Sequence, residues 1–139
     1  MRVRIINTSE REGGAAVAAG RLMAALQKSG VEVKMAVRDK STCNPDGLAV
    51  SNPSLMRWRF LGERIVVWLA TRFSKRQLFS VDVAYAGVDR RSLPEFKHAD
   101  VIHLHLFTHG MLSLRDIRRI LDAGKPVVWT LHDLWPCTG

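Results

Sequence analysis

The sequence predicts an α/β fold, a Rossmann-like doubly wound parallel sheet, and three observations carry that prediction. Apolar runs of strand length alternate with amphipathic stretches of helix length. Glycines stand at the passages between them, at Gly13-Gly14, Gly30, Gly110 and Gly124. The chain has 139 residues, enough for one domain with a real core.

Residues 3–6 (VRII) read as a first strand, closed by Asn7-Thr8-Ser9. The polar segment 10–14 (EREGG) turns the chain. From Ala15 onward Ala15, Ala18/Ala19, Leu22 and Ala25/Leu26 recur at helical spacing. Gly30 stands where a left-handed cap ends that helix. Residues 31–37 alternate, with Val31, Val33, Met35 and Val37 on one face, as a second strand does. A strand–helix–strand unit of this kind predicts parallel pairing through a right-handed crossover.

Residues 38–53 are rich in Asp, Asn, Pro, Gly and Ser and read as a loop. Residues 57–76 read as a helix whose apolar residues spread around most of the cylinder. Arg57, Arg59, Arg64, Arg72, Lys75 and Arg76 flank its apolar middle, 65–70 (IVVWLA). Such a segment can cover a core with solvated ends, or it can dock on an anionic bilayer. Residues 77–96 read mostly as coil, and Pro94 argues against regular structure there.

Residues 100–106 (DVIHLHL) form a third strand, and Thr108-His109-Gly110 the turn after it. The next helix carries start signals: Ser113 as N-cap, Asp116 three residues on, and Leu112 placed to staple onto Ile117. Leu114, Ile117 and Ile120/Leu121 give it one apolar face, and Gly124 and Pro126 end it. Residues 127–131 (VVWTL) are a fourth strand that delivers His132 and Asp133 at its carboxyl end.

Composition narrows the function classes. Hydrophobic residues are 47% and charged residues 24%, a soluble globular balance. The longest apolar runs are far shorter than the roughly 20 residues that span a bilayer. The N-terminal MRVRIINTSE reads as a strand, not a signal peptide, so a cytoplasmic protein is expected. Cys43 and Cys137 lack the paired spacing of a zinc site and are expected as free thiols. The net charge of +8 suits nucleic acid, an anionic membrane or a phosphate-bearing small molecule. No basic run is interleaved with aromatics in the manner of a nucleic-acid module, which argues against the first.

The residues able to carry chemistry are few. Gly13-Gly14, between a strand and a helix, can offer backbone amides to an anion. The spacing is neither G-x-G-x-x-G nor a loop ending in Gly-Lys-Ser/Thr, and a tight turn explains the pair equally well. His103 and His105, two apart on a strand, share a face; His109 follows in the turn and His132 ends the next strand. Histidines converging on one face can bind zinc, so a small metal-dependent hydrolase using His103, His105 and His132 is one alternative. No further clustered Asp, His or Glu ligands appear, which argues against it. In the dipeptide His132-Asp133, the histidine can donate to a substrate oxygen and Asp133 can orient its neighbours.

Taken in order, Asn7-Thr8-Ser9, Gly13-Gly14-Ala15-Ala16, Asp100-Val101-Ile102-His103-Leu104-His105 and the segment 127–136 (VVWTLHDLWP) resemble the N-terminal domain of bacterial family 4 glycosyltransferases. The resemblance covers nearly the whole chain and is strongest at 3–38 and 99–139. It implies the N-terminal half of a GT-B fold, two Rossmann-like domains about a cleft. Residues 1–139 would be the acceptor-side domain, ending before the donor-binding domain. It further implies retaining transfer of a hexosyl group from a nucleotide sugar to a saccharide or lipid-linked saccharide acceptor, in polysaccharide or glycolipid synthesis. No cofactor or metal is implied. His132 would be the catalytic-site residue at the transferred sugar, Gly13 and Gly14 would meet the donor phosphates, and His105, His109 and Asp133 would line the acceptor-side cleft. Where close relatives have His-Leu-His-Trp, Leu106 stands at the Trp position, which puts the role of His105 in question. The isolated chain is expected to be inactive, because the donor-binding half supplies most of the nucleotide contacts. A non-catalytic Rossmann-like binding module is the remaining alternative.

Overall fold

The computed structural model describes residues 1–50, 53–73, 83–85, 87, 94–133 and 137. Five parallel strands form the sheet: β1 (Arg2–Ser9), β2 (Glu32–Asp39), β3 (Gly47–Ala49), β4 (Val101–Leu104) and β5 (Val127–Trp129), in the order β3-β2-β1-β4-β5. The helices are α1 (Gly14–Lys28), α2 (Pro53–Ala70), the short α3 (Pro94–Lys97) and α4 (Leu114–Leu121). This is the Rossmann-like α/β sheet that the alternation of elements predicts.

Alternation along β1 divides the core between the two faces of the sheet. Val3 and Ile5 pack with Val33, Met35 and Val37 of β2 and with Ala19 and Met23 of α1. Ile6 points the other way, into a cluster with Ile102, Leu104, Phe107, Met111, Leu112, Ile117 and Ile120. Leu112 and Ile117 share that cluster, as the predicted staple requires. The capping box forms too. The Asp116 amide donates to Ser113 Oγ at 3.2 Å, and the Ser113 amide donates to Asp116 Oδ2 at 3.0 Å.

The segment beside this cap leaves no room for a side chain. A Cβ on Gly87 would lie 2.4 Å from the Ser113 amide nitrogen, and the Leu114 amide donates to the Ala84 carbonyl at 2.9 Å.

Helix α1 ends in a Schellman motif. Gly30 takes φ 79°, its amide donates to the Gln27 carbonyl, and the Val31 amide donates to the Leu26 carbonyl.

Several elements depart from the sequence reading. The expected loop 38–53 contains β3, a three-residue edge strand held by the Val50 amide donating to the Val37 carbonyl. Helix α2 begins at Pro53, four residues early, because proline suits the first helical turn. The same preference overturns the coil expected at Pro94, which opens α3. Helix α2 ends at Ala70, not at Arg76, through a second Schellman pattern that lacks glycine. Arg72 sits at φ 53°, its amide donates to the Leu69 carbonyl, and the Phe73 amide donates to the Trp68 carbonyl. The Trp68 indole holds this end by donating to the Phe73 carbonyl at 3.0 Å, with the two rings in edge contact. Lys75, Arg76 and most of the expected coil lie outside the described residues.

Helix α2 turns an apolar stripe outward. Leu55, Trp58, Leu61, Ile65, Val66 and Leu69 are exposed, Trp58 at 71%. Glu63 and Arg64 face inward and are buried with Met56 and Val67. The Glu63 carboxylate accepts from the Tyr85 amide, and the Arg64 guanidinium lies over the Phe60 ring. Among the described residues no helix is long and apolar enough to cross a membrane.

Candidate functional site

The strand order reverses between β1 and β4, and in an open α/β sheet ligands bind beyond the carboxyl ends of the strands at that switch point. Past the end of β4 the Thr8 amide still donates to the Leu106 carbonyl at 2.7 Å, and side chains reinforce the pairing. Asn7 Oδ1 accepts from the Leu106 amide at 3.1 Å. Thr8 Oγ1 lies 3.0 Å from both the Leu106 and Thr108 carbonyls, its one proton shared between them. Asn7 and Thr8 therefore work as a clamp that holds the β4 turn at the switch point.

Histidines fill the edge beyond β4 and β5. Leu104 pairs with Trp129 across these strands, so the residues that follow on each come together. The rings of His103 and His105 lie 4.5 Å apart, centroid to centroid, as their shared face requires. His105 and His132 lie edge to edge, ring centroids 5.1 Å apart and planes 28° from parallel. His105 Nδ1 lies 2.9 Å from His132 Nε2, and His103 Nε2 lies 2.8 Å from Thr130 Oγ1. Burial, then the neighbouring His103 and His132, pushes the His105 pKa down to about 4. Burial, and then His132, also lowers that of His103. Both rings are thus kept neutral near pH 7. His105 turns one nitrogen to His132 and His103 turns one to a hydroxyl, and no group of three His, Cys, Asp or Glu able to hold a metal occurs among the described residues.

His132 and Asp133 are exposed and line a crevice of about 10 Å³ with His105, Leu106, Thr108 and Trp129. That volume holds at most a water-sized group, so a sugar would lie across its mouth. His109 goes elsewhere. It takes φ 61°, its ring meets Phe60 edge-on at 5.8 Å, and its carbonyl accepts from the Arg38 guanidinium. It ties α2 and β2 to the turn after β4.

Gly13 is the N-cap of α1, at φ 86° and ψ 164°, without a side-chain cap. Open space surrounds the Cβ position of both Gly13 and Gly14. The first turn of α1 contains no acidic residue, and at Gly13 and Gly14 no side chain covers the amides.

A second depression lies at the ends of β1, β2 and β3, a cleft of about 380 Å³ lined by Ser9, Glu12, Arg38, Asp39, Lys40 and Arg57. Burial would raise the Asp39 pKa, but Arg38 and Arg57 outweigh it and hold the carboxyl below its usual range. Asp39 Oδ1 accepts from Arg57 Nη2 at 2.8 Å. The loop beside the cleft is fastened by Glu10. Its carboxylate accepts from the Ser41 amide at 2.8 Å, the Thr42 amide at 2.7 Å and the Thr42 hydroxyl at 2.5 Å. Burial opposes ionisation of Glu10, and the bonds from Thr42 and Ser41, with the charge of Lys40, prevail and lower its pKa. The sequence reading missed this cleft, although the signal was there. Arg38-Asp39-Lys40 is a charged triplet at the carboxyl end of an alternating strand.

Cys43 and Cys137 are exposed free thiols. The motif residues Trp135 and Pro136 lie outside the described residues.

The family model described as Glycosyltransferase Family 4 matches residues 12–138. No curated protein and no solved structure matches the chain.

Proposed function

The chain belongs to glycosyltransferase family 4, and from that premise we propose that it is the acceptor-side domain of a retaining hexosyltransferase of the GT-B type. The observation that supports this reading is the placement of His132. It stands exposed beyond the carboxyl end of β5, hydrogen-bonded to a buried neutral imidazole, at the edge where such sheets take ligands. In this reading a nucleotide sugar is the donor. A facing domain holds its nucleotide, and the bare amides of Gly13 and Gly14 approach its phosphates. Charge develops on the leaving diphosphate during transfer, and amides fixed in advance stabilise it without reorganising. His132 contacts the transferred sugar, and the chemistry needs no metal or cofactor. The acceptor lies on the side of Asp133 and the cleft of Arg38, Asp39 and Arg57. Pairing this domain with a donor-binding domain and measuring turnover of a panel of nucleotide sugars tests the reading. No transfer to any saccharide or lipid-linked acceptor would remove it.

The acceptor in this proposal is lipid-linked, and the enzyme works against the inner face of the cell membrane. The outward stripe of α2 supports that. Trp58, Val66 and Leu69 lie exposed, with Arg57, Arg59 and Arg72 at its two ends. An apolar face bordered by cations is the pattern of a helix lying in an anionic interface. The protein is expected to co-sediment with vesicles containing anionic lipid at low salt, and to be released by substituting Trp58 and Leu69 with serine. Failure to bind at low salt would rule the membrane contact out.

A further inference from the structure

The pair His105–His132 poses a question of proton placement that the fold itself answers. His105 is 4% exposed, and one ring nitrogen, Nε2, is buried with no hydrogen-bond partner among the described residues. The other, Nδ1, lies 2.9 Å from His132 Nε2. One hydrogen bond between these two ring nitrogens permits two arrangements, since one must donate and the other accept. If His132 donates, Nδ1 of His105 is the acceptor and its proton sits on Nε2. That leaves a buried N–H with nothing to receive it, the kind of orphan that folded proteins rarely keep. If His105 donates from Nδ1, the group left over is a bare lone pair, and no buried N–H is wasted.

We propose that His105 is a positioning residue: it donates its Nδ1 proton to Nε2 of His132 and so fixes His132 as the Nδ1–H tautomer. The Nε2 lone pair of His132 is then occupied, and the ring offers the cleft a donor instead of a base. An N–H at the mouth of the crevice suits a hydroxyl oxygen of the transferred sugar, since a hydroxyl accepts as readily as it donates. The functional consequence rests on the placement of His132 at the sugar, proposed above. The tautomer pair is a property of the unliganded chain. The arrangement also gives His105 a role that the leucine at position 106 had put in question.

Long-range proton–nitrogen correlation on nitrogen-15-labelled protein near pH 7 reads the tautomers directly. The expected result is that Nδ1 resonates as an N–H nitrogen in both rings and Nε2 as a pyridine-type nitrogen in both. Protonated Nε2 in both rings would overturn the proposal. His105→Asn, whose side-chain amide can place a donor near the position of Nδ1, is expected to keep His132 in its Nδ1–H form. His105→Phe, which removes the donor and keeps a ring, is expected to let it shift to Nε2–H, the form a free imidazole prefers in water. His132 unchanged in the Phe variant would also overturn the proposal. If the tautomers are as expected but the paired-domain enzyme transfers no sugar, the functional reading fails and the positioning role stands.

Discussion

His132→Ala in the paired-domain enzyme is expected to lower kcat by about 10²-fold while leaving nucleotide affinity within about threefold, the scale on which removing one transition-state hydrogen-bond donor acts. The separation follows from placement. His132 stands beyond β5 in a crevice too small for anything but the edge of a sugar, whereas the proposed phosphate contacts belong to the start of α1. Steady-state kinetics together with a direct measurement of nucleotide binding reads both quantities. Equal loss of turnover and nucleotide affinity would contradict the assigned role. An unfolded variant is not the expected outcome, because His132 is exposed and its neighbour His105 keeps its own burial among the strand ends.

Phe107→Ala is expected to cost about 3–5 kcal/mol of folding stability, the range for deleting a buried phenyl ring. Phe107 is 2% exposed, packs on Trp129 with ring centroids 5.0 Å apart, and belongs to the cluster that joins β4 to α4. Its carbonyl accepts from the Leu112 amide, so it also anchors the turn that carries Thr108 and His109. Trp58→Ala is the matched control. It deletes a larger aromatic ring, but an outward one, and is expected to cost less than about 1 kcal/mol. Urea denaturation of the two variants beside the parent measures the difference. A comparable loss from both would mean that the stripe of α2 belongs to the core.

The parts of the fold legible in the sequence were those in which local chemistry and pattern agree. The glycine cap of α1, the Ser113–Asp116 box and the alternation of β2 each carry a signal in a few adjacent residues. The parts that escaped lack such a signal. Residues 47–49 are too few to show alternation and begin with glycine, so only pairing with β2 reveals a strand. The end of α2 uses Arg72 in a left-handed conformation, which costs roughly 1 kcal/mol and leaves no glycine to mark it. The direction in which α2 faces is likewise non-local, because apolar residues lie all around it and the burial of Glu63 and Arg64 decides which side turns in. At the site, two histidines two apart on a strand announce a shared face. Their meeting with His132 depends on β5 lying beside β4 in one register. The charged cleft at Arg38 to Lys40 was visible as composition but not as a place, since it is assembled from the ends of three strands.

The empty surroundings of Gly14 offer a way to separate two kinds of selection on one residue. Among the described residues, its chain neighbours and its own helix's backbone aside, nothing comes within 4 Å of the Cβ that an alanine would add there, and its φ lies outside the left-handed region. Folding alone would favour the alanine by roughly 0.4–1 kcal/mol, through a less free unfolded chain. A residue that stability would replace and packing would admit is a position where any preference for glycine must come from outside the polypeptide. A library varied at position 14, sorted once for thermal resistance and once for transfer, would divide these pressures. Alanine enriched in the first and depleted in the second would mark that backbone as ground reserved for a ligand.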